Sequence, residues 1–369
     1  MKVDVLLSNL QGKLTYLNHA VSQKSQLPIL LNFLLETEKD KLKISSTDLE
    51  IGIETSIPAT IKEEGGITVP AKTFTELIHT LSEESVTLQT TDTTLEVISK
   101  KTKSRFQTIS KNDFPKLYEE KGEKITVLKE EEVQKDFSSV IFAASQDIAR
   151  PALSGVLVRK EDEGFLLVAT DGYRLSLKHY KTPDNAAKPN ESFIVPARVF
   201  RELLSIKEEK GDIGMYIATG SNQVLFEKGE TLLVGRLIEA EFPRFEKIIP
   251  SDFSVSVLFE REEMQKAVKI CSIFARDSAN IIKLSLQKDG IVVSSQSPSL
   301  GENTVHVDAK LKGEENEIAF NARYLLDLFA NLSEGEIVFE MAGPLNPGVF
   351  KIQNDKSYLH LIMPIRVQG

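Results

Sequence analysis

The sequence predicts an α+β protein of three similar domains, each with two helices packed on antiparallel β-sheets, and three observations carry this expectation. The phrase at Phe193–Ile206, FIVPARVFRELLSI, is written again at Ile67–Leu81, ITVPAKTFTELIHTL, and at Ile318–Leu332, IAFNARYLLDLFANL. Its anchors Val69, Val195 and Phe320 stand 126 and 125 positions apart, which divides the chain into three repeats. A second phrase also recurs three times, once per repeat: LQGKLTYL at Leu10–Leu17, VQKDFSSV at Val133–Val140 and MQKAVKIC at Met264–Cys271. Each reads as an apolar residue, then Gln, then apolar residues four and seven positions on, so Gln11, Gln134 and Gln265 are equivalent. Thirdly, the rest of each repeat consists of short strand-like runs between turns. With only two helices per repeat, this favours antiparallel sheets over alternating βαβ units.

In chain order, Ser8–Val21 is expected as the first helix, capped by Ser8 or Asn9, with Leu10, Leu14, Leu17 and Val21 on one face. Strands follow at Ile29–Glu36, Lys41–Ser46 and Ile51–Ile57. Gly65–Gly66 turns the chain into the anchor strand and its helix, whose apolar residues Phe74, Leu77, Ile78 and Leu81 share a face. Strands at Ser85–Thr90, Thr94–Ser99 and Arg105–Ser110 complete the repeat. The later anchor helices carry Phe200, Leu203 and Leu204, ended by Lys207, and Leu325, Leu328, Phe329 and Leu332. Domain boundaries are expected in the charged linker Glu119–Lys124 and near Pro250–Asp252, giving domains 1–122, 125–250 and 253–369. A Phe-Pro pair precedes each boundary, Phe114–Pro115 and Phe242–Pro243. The last expected strand is Tyr358–Val367, followed by Gln368 and Gly369.

A formal charge of −9 argues against a generally basic, nucleic-acid-coating surface, though the distribution of charge can overrule the average. The single cysteine, Cys271, sits at helical spacing with Met264, Ala267, Val268 and Phe274, the pattern of a core thiol, and permits no disulfide framework within one chain. No apolar run has the length of a signal peptide or membrane span, so a cytosolic protein without membrane association is expected. His19, His79, His179, His306 and His360 are scattered, and no Walker, HExxH, GxSxG or EF-hand pattern occurs. The acidic residues fall mainly in runs such as Glu130–Glu132, Glu161–Glu163 and Glu208–Glu209, which read as solvated faces. No catalytic residue, metal site or cofactor is expected, and the chain reads as a non-enzyme.

Two features ask for a function. At the second position of each anchor helix stands a cation, Lys72, Arg198 and Arg323, near the positive end of the helix dipole where it is mildly unfavourable. Each could be a solvated residue whose stem covers the core, but the threefold placement invites a functional reading. The heptad Ala169–Leu175, ATDGYRL, ends a strand with an Asp-Gly turn. Its first-repeat counterpart, Ser46–Leu49, keeps Thr47–Asp48 but lacks Gly-aromatic-Arg, so the middle repeat carries something extra.

With ATDGYRL, SQDIARPALSG at Ser145–Gly155, the FIVPAR phrase, EFPRFEKIIP at Glu241–Pro250, AFNARYLLD at Ala319–Asp327 and MPIRV at Met363–Val367, the chain resembles the bacterial DNA polymerase III beta subunit, the sliding clamp, over its whole length. The resemblance implies three similar domains forming half of a head-to-tail ring, the DNA clamp fold, closed as a homodimer around double-stranded DNA. With helices packed roughly 10 Å apart, twelve axes would lie on a circle about 38 Å across and leave a hole of about 28 Å. The hole would be lined by Lys24, Lys72, Lys135, Gln146, Arg150, Arg198, Arg201, Lys266 and Arg323, through loose contacts that carry no sequence information.

The resemblance also implies a pocket for short linear peptides of DNA polymerase and clamp-loader subunits. Matched residue by residue, it comprises Leu153, Thr170, Gly172, Tyr173, Arg174 and Leu175, then Pro243, Lys247 and Ile248, then Asn321 and Tyr324, and finally Ile362, Met363, Pro364, Ile365 and Arg366. The expected groove is apolar, walled by Leu175, Ile248, Ile362 and Met363 and rimmed by Arg174 and Arg366. The chain departs from the family at Tyr173, where His is usual, and at Lys247, where Arg is frequent. The implied subunit contact joins Phe106 to Ile273 and Phe274. The function expected is a DNA sliding clamp conferring processivity; the alternative is a peptide-binding scaffold that does not encircle DNA.

Overall fold

The computed structural model describes residues 1–22, 24–91, 93–147, 149–182, 191–207, 209–333 and 335–366; Glu208, the expected strand end Val367, and Gln368 and Gly369 lie outside them. The helices are α1 (Leu7–Leu17), α2 (Ala71–Thr80), α3 (Glu130–Ile141), a single turn α4 (Pro151–Ser154), α5 (Ala197–Ser205), α6 (Arg261–Ala275) and α7 (Ala322–Asn331). All described strand pairings are antiparallel. Each sequence repeat thus contributes two longer helices, α1 and α2, α3 and α5, α6 and α7.

Contact density divides the chain into one unit of residues 1–130 and 198–237 and a second of residues 131–197 and 238–369. The first is built on a 12-stranded sheet, the second on a 9-stranded and a 4-stranded sheet. The middle repeat is shared out because its strands extend the sheets of its neighbours. In the first unit Thr231–Gly235 pairs with Ile51–Thr55, and in the second Arg174–Lys178 pairs with Tyr358–Ile362.

Apolar spacing positions the helices. On α7, Leu325, Leu328 and Phe329 are fully buried, and each such side chain contributes about 1.5–3 kcal/mol relative to exposure. They meet the ring cluster of Phe259, Phe320, Phe339 and Phe350, with centroids 4.8–6.3 Å apart. Arg261 at the start of α6 donates to the carbonyl of Phe329 at 2.8 Å and ties α6 to α7. Cys271 is buried in this core, as its spacing predicted. The repeated glutamines do not share one role: Gln11 donates to the Ile78 carbonyl at 2.8 Å, Gln265 accepts from Arg261, and Gln134 is exposed.

The element ends differ from expectation for local reasons. α1 begins at Leu7 without a side-chain cap, because strand Lys2–Leu6 leads straight into it and the Leu7 N–H donates to the Glu84 carbonyl at 2.9 Å. Pro28 opens a 3-10 turn through Leu31, so the first expected strand starts at Asn32. The strand from Ile51 runs through Pro58 to Glu63. Pro58 falls between the stretch paired with Thr231–Gly235 and the stretch paired with strand Lys2–Leu6, where a missing N–H costs least. In the linker, Gly122 has φ +74, and a Cβ there would stand 2.2 Å from the Ile217 carbonyl oxygen, so only glycine fits. The last strand stops at Ile362.

Candidate peptide groove and cation sites

Two Thr-Asp turns with matching hydrogen bonds organise the two units. In the first, Thr47 Oγ1 donates to the Ile51 carbonyl and accepts from Leu49 N, while Asp48 Oδ1 accepts from Glu50 N and Ile51 N. In the second, Thr170 Oγ1 donates to the Arg174 carbonyl and accepts from Gly172 N, while Asp171 Oδ1 accepts from Tyr173 N and Arg174 N. The third turn position has positive φ in both, +78 at Leu49 and +93 at Gly172, which glycine adopts without strain and leucine does not.

Arg174 is not the free rim cation expected of it. It is buried, and its guanidinium donates from Nε to Asp171 at 3.1 Å, from Nη1 to Asp327 at 2.6 Å and from Nη2 to the Phe142 carbonyl at 3.0 Å. The guanidinium carbon lies 4.7 Å from the centre of the Tyr324 ring and 5.4 Å from that of Phe142. Burial and then the Asp171 charge push the Tyr324 phenol pKa up. Leu175 and Ile362 are fully buried and offer no wall to a ligand, since they pack into the cores beneath. Thr170 is likewise buried, spent on its turn.

The surface above them is formed by exposed Gly172, Tyr173 and Met363, with Tyr324, Asn321, Pro364 and Ile365 half-buried and Arg366 exposed. The tail is held in place by two backbone bonds, Met363 N to the Tyr173 carbonyl and Ile365 N to the Ala319 carbonyl, both 2.8 Å. Leu153 is half-buried; Lys247 and Ile248 are exposed at the end of the 3-10 turn Phe245–Ile248. Pro243 lines a separate cleft of about 460 Å³ with Phe242, Arg244 and Phe245. Leu345, not singled out from the sequence, is 61% exposed in the turn before Gly348, the residue paired with Ile362. Its signal was an apolar residue in a Pro-flanked turn, Pro344-Leu345-Asn346-Pro347.

A cavity of about 270 Å³ brings expected groove residues Tyr173, Arg174, Asn321 and Tyr324 together with expected DNA-facing residues Gln146, Arg150 and Arg323. Arg150 is engaged there, donating to Asp147 at 3.2 Å and to the Asp171 carbonyl at 3.3 Å. Lys24, Lys72, Lys135, Arg201, Lys266 and Arg323 are exposed. Arg198 is half-buried, with Nη1 2.6 Å from Asp48 Oδ2 and Nη2 donating to the His19 carbonyl at 2.7 Å. Its charge is answered inside the protein by these partners.

Of the residues expected at a subunit contact, Phe106 is half-buried against Phe74, ring centroids 5.9 Å apart, on strand Lys103–Gln107, which ends the 12-stranded sheet. Ile273 is 52% exposed on α6, with exposed Ile270 beside it and Phe274 half-buried. Strand Gly301–Val307, at one end of the 4-stranded sheet, is another exposed edge. Among the described residues no cluster could hold a metal ion, and no helix is long and apolar enough to cross a membrane.

Repeated helix pairs on antiparallel sheets, with cations at matched helix starts, define the DNA clamp fold. Models of the DNA polymerase III beta subunit match in succession, the N-terminal domain over residues 1–118, the central domain over 127–244 and the C-terminal domain over 246–366. The chain belongs to that family. A relative named beta sliding clamp from Synechocystis sp. is 28% identical over 390 residues, covering 100% of both chains. Among solved structures, the DNA polymerase sliding clamp from Bacillus subtilis superposes with TM-score 0.94 at 26% identity, and a sliding clamp from Bartonella birtlesii bound to griselimycin with 0.93 at 26%, each over 100% of both chains.

Proposed function

We propose that this chain is a DNA sliding clamp, a non-catalytic processivity factor of three domains, 1–122, 125–250 and 253–369. Two copies close head to tail into a ring around duplex DNA and tether DNA polymerase and other DNA-processing proteins in the cytoplasm. The observation that carries this reading is the succession of clamp domains along one chain, each presenting a helix pair with a cation at the second position of its later helix. Cations at Lys72 and Arg323 suit backbone phosphates, which repeat regardless of sequence and therefore permit sliding. Tyr173, Tyr324, Ile248, Leu345 and Met363 supply the apolar contacts of a linear-peptide groove, and the exposed edges carrying Phe106 and Ile273 supply the subunit contacts.

Retention on DNA tests the central claim. A clamp loaded on nicked circles should survive a wash in high salt, which strips purely electrostatic binders, and should be released when the circle is cut. Equal salt sensitivity on circular and linear DNA would show that the chain does not encircle its template.

A further inference from the structure

Arg174 and Arg198 fill equivalent seats in the two units, although they come from different places in the chain. The first seat is formed by Asp48, the carbonyl of His19 and, beside them, Glu202, whose carboxylate is 2.6 Å from His19 Nδ1. The repeat spacing of 123 carries His19 and Asp48 onto Phe142 and Asp171, and the helix spacing of 125 carries Glu202 onto Asp327. Phe142, Asp171 and Asp327 are the three residues that bond Arg174. The cation in the first seat comes from the second position of α5, whose counterpart on α7 is Arg323. In the second unit the seat is taken instead from the strand, by Arg174, at the position where the first repeat has Ile51. Arg323 forms no ion pair among the described residues and stays exposed in the cavity it shares with Tyr173 and Tyr324.

This accounts for the extra residues of ATDGYRL. Three guanidinium nitrogens of Arg174 are committed to protein acceptors, so it has little charge to offer a ligand. What it does is hold surfaces. The Thr-Asp turn carrying Gly172 and Tyr173 is bonded to one edge of the guanidinium, Tyr324 lies against its face, and Tyr173 in turn holds Met363 through its carbonyl. Asp327 supplies its only hydrogen bond to α7 among the described residues, one turn along from Tyr324.

We propose that Asp327 is a positioning residue of the peptide groove, acting through Arg174: it draws the guanidinium against Tyr324 and thereby sets the gap between Tyr324 and the Gly172–Tyr173 turn in which a peptide side chain lies. The proposal rests on the groove reading above. Asp327 itself lines the cavity beside Tyr173 and Tyr324, with its side chain 49% exposed, so a positioning role is told from direct contact by whether its loss is felt only while Arg174 is present to be positioned.

The experiment is a double-mutant cycle read by calorimetry on the full chain, with a Gln-Leu-Ala-Leu-Phe peptide as probe. Asp327→Ala should weaken binding about ten-fold and the milder Asp327→Asn about three-fold, while in an Arg174→Gln background either change should cost under about two-fold. A residue that merely supports the fold would cost the same in both backgrounds. Thermal unfolding of each variant checks folding, and the Asn variant decides the matter if the Ala variant is unfolded. Native affinity in Asp327→Asn, or equal losses in both backgrounds, would overturn the proposal while leaving the groove in place. A native chain that does not bind the peptide would remove the groove itself, and the proposal with it.

Discussion

His360 is fully buried in strand Tyr358–Ile362, its Nδ1 2.6 Å from Ser176 Oγ and its ring stacked on Phe142 with centroids 5.2 Å apart. Its Nε2 has no partner among the described residues. Burial first, and the Arg174 cation second, hold its pKa well below the usual imidazole range. The folded state therefore keeps His360 neutral, whereas the unfolded chain titrates near the ordinary value of about 6.5. Above that pH neither state binds the proton and the stability is complete. As pH falls through it only the unfolded state gains a proton, so stability is lost at up to about 1.4 kcal/mol per pH unit until the depressed folded pKa is reached. Urea unfolding between pH 7 and 5 should show this slope in the native chain and a flatter one in His360→Asn. The other histidines are present in both proteins and cancel, so equal slopes would mean that the folded site accepts the proton. At this scale the sequence was legible for which residues repeat but not for what they bond. The triplet Lys72, Arg198 and Arg323 could be found by spacing alone. That Arg198 is spent on Asp48 and the His19 carbonyl could not, because those partners lie far away in sequence and only folding brings them together.

Elements were legible where one face repeats and less so where tertiary pairing sets the end. The periodicity of Leu325, Leu328, Phe329 and Leu332 marks a buried helix face wherever that helix packs. The cap expected at Ser8 failed because Glu84, from a neighbouring connection, satisfies the helix start, and local propensity cannot register such a partner. The tail beyond Ile362 is the element on which the proposed groove most depends. It is held because Tyr173 and Ala319 each accept one of its N–H groups, which brings Met363 beside Tyr173. Deleting Met363–Gly369 should therefore abolish binding of the same peptide, native affinity being in the micromolar range, about −8 kcal/mol. The dimer should persist, because Phe106, Ile273 and Phe274 are not in the deleted segment. Calorimetry paired with sedimentation checks both halves, and undiminished peptide affinity would place the partner site elsewhere.

For the whole molecule the decisive quantity is whether two copies close. Head-to-tail contacts join unlike surfaces, and they end in a ring only when the rotation between copies closes; otherwise they continue as an open chain. In the ring proposed here the unlike surfaces would be sheet edges. Strand Lys103–Gln107 leaves a row of backbone groups unpaired in the monomer, with the Phe106 ring half-open above Phe74, and strand Gly301–Val307 does the same in the second unit, which also carries exposed Ile270 and Ile273. Exposed edges of this kind invite strand pairing, and specific closure is one way in which a fold manages them. In the proposed twofold ring each of the two contacts would contain one Phe106 and one Ile273, so a substitution at either residue would act twice per dimer. A charge placed there without a partner costs several kcal/mol on burial in a contact; in the separated chain it costs little at exposed Ile273 and, at half-buried Phe106, the packing against Phe74. Phe106→Asp and Ile273→Asp together should therefore sediment as a folded monomer at micromolar concentration, where the native chain is a dimer, with the thermal midpoint of the separated variant chain showing that its cores are intact. The same variant should lose retention on nicked circles while keeping its affinity for the linear peptide, since Tyr324, Met363 and the Thr-Asp turn are untouched. A variant that remains dimeric would move the subunit contact away from these edges, and one that is monomeric yet still retained on circles would separate DNA binding from ring closure.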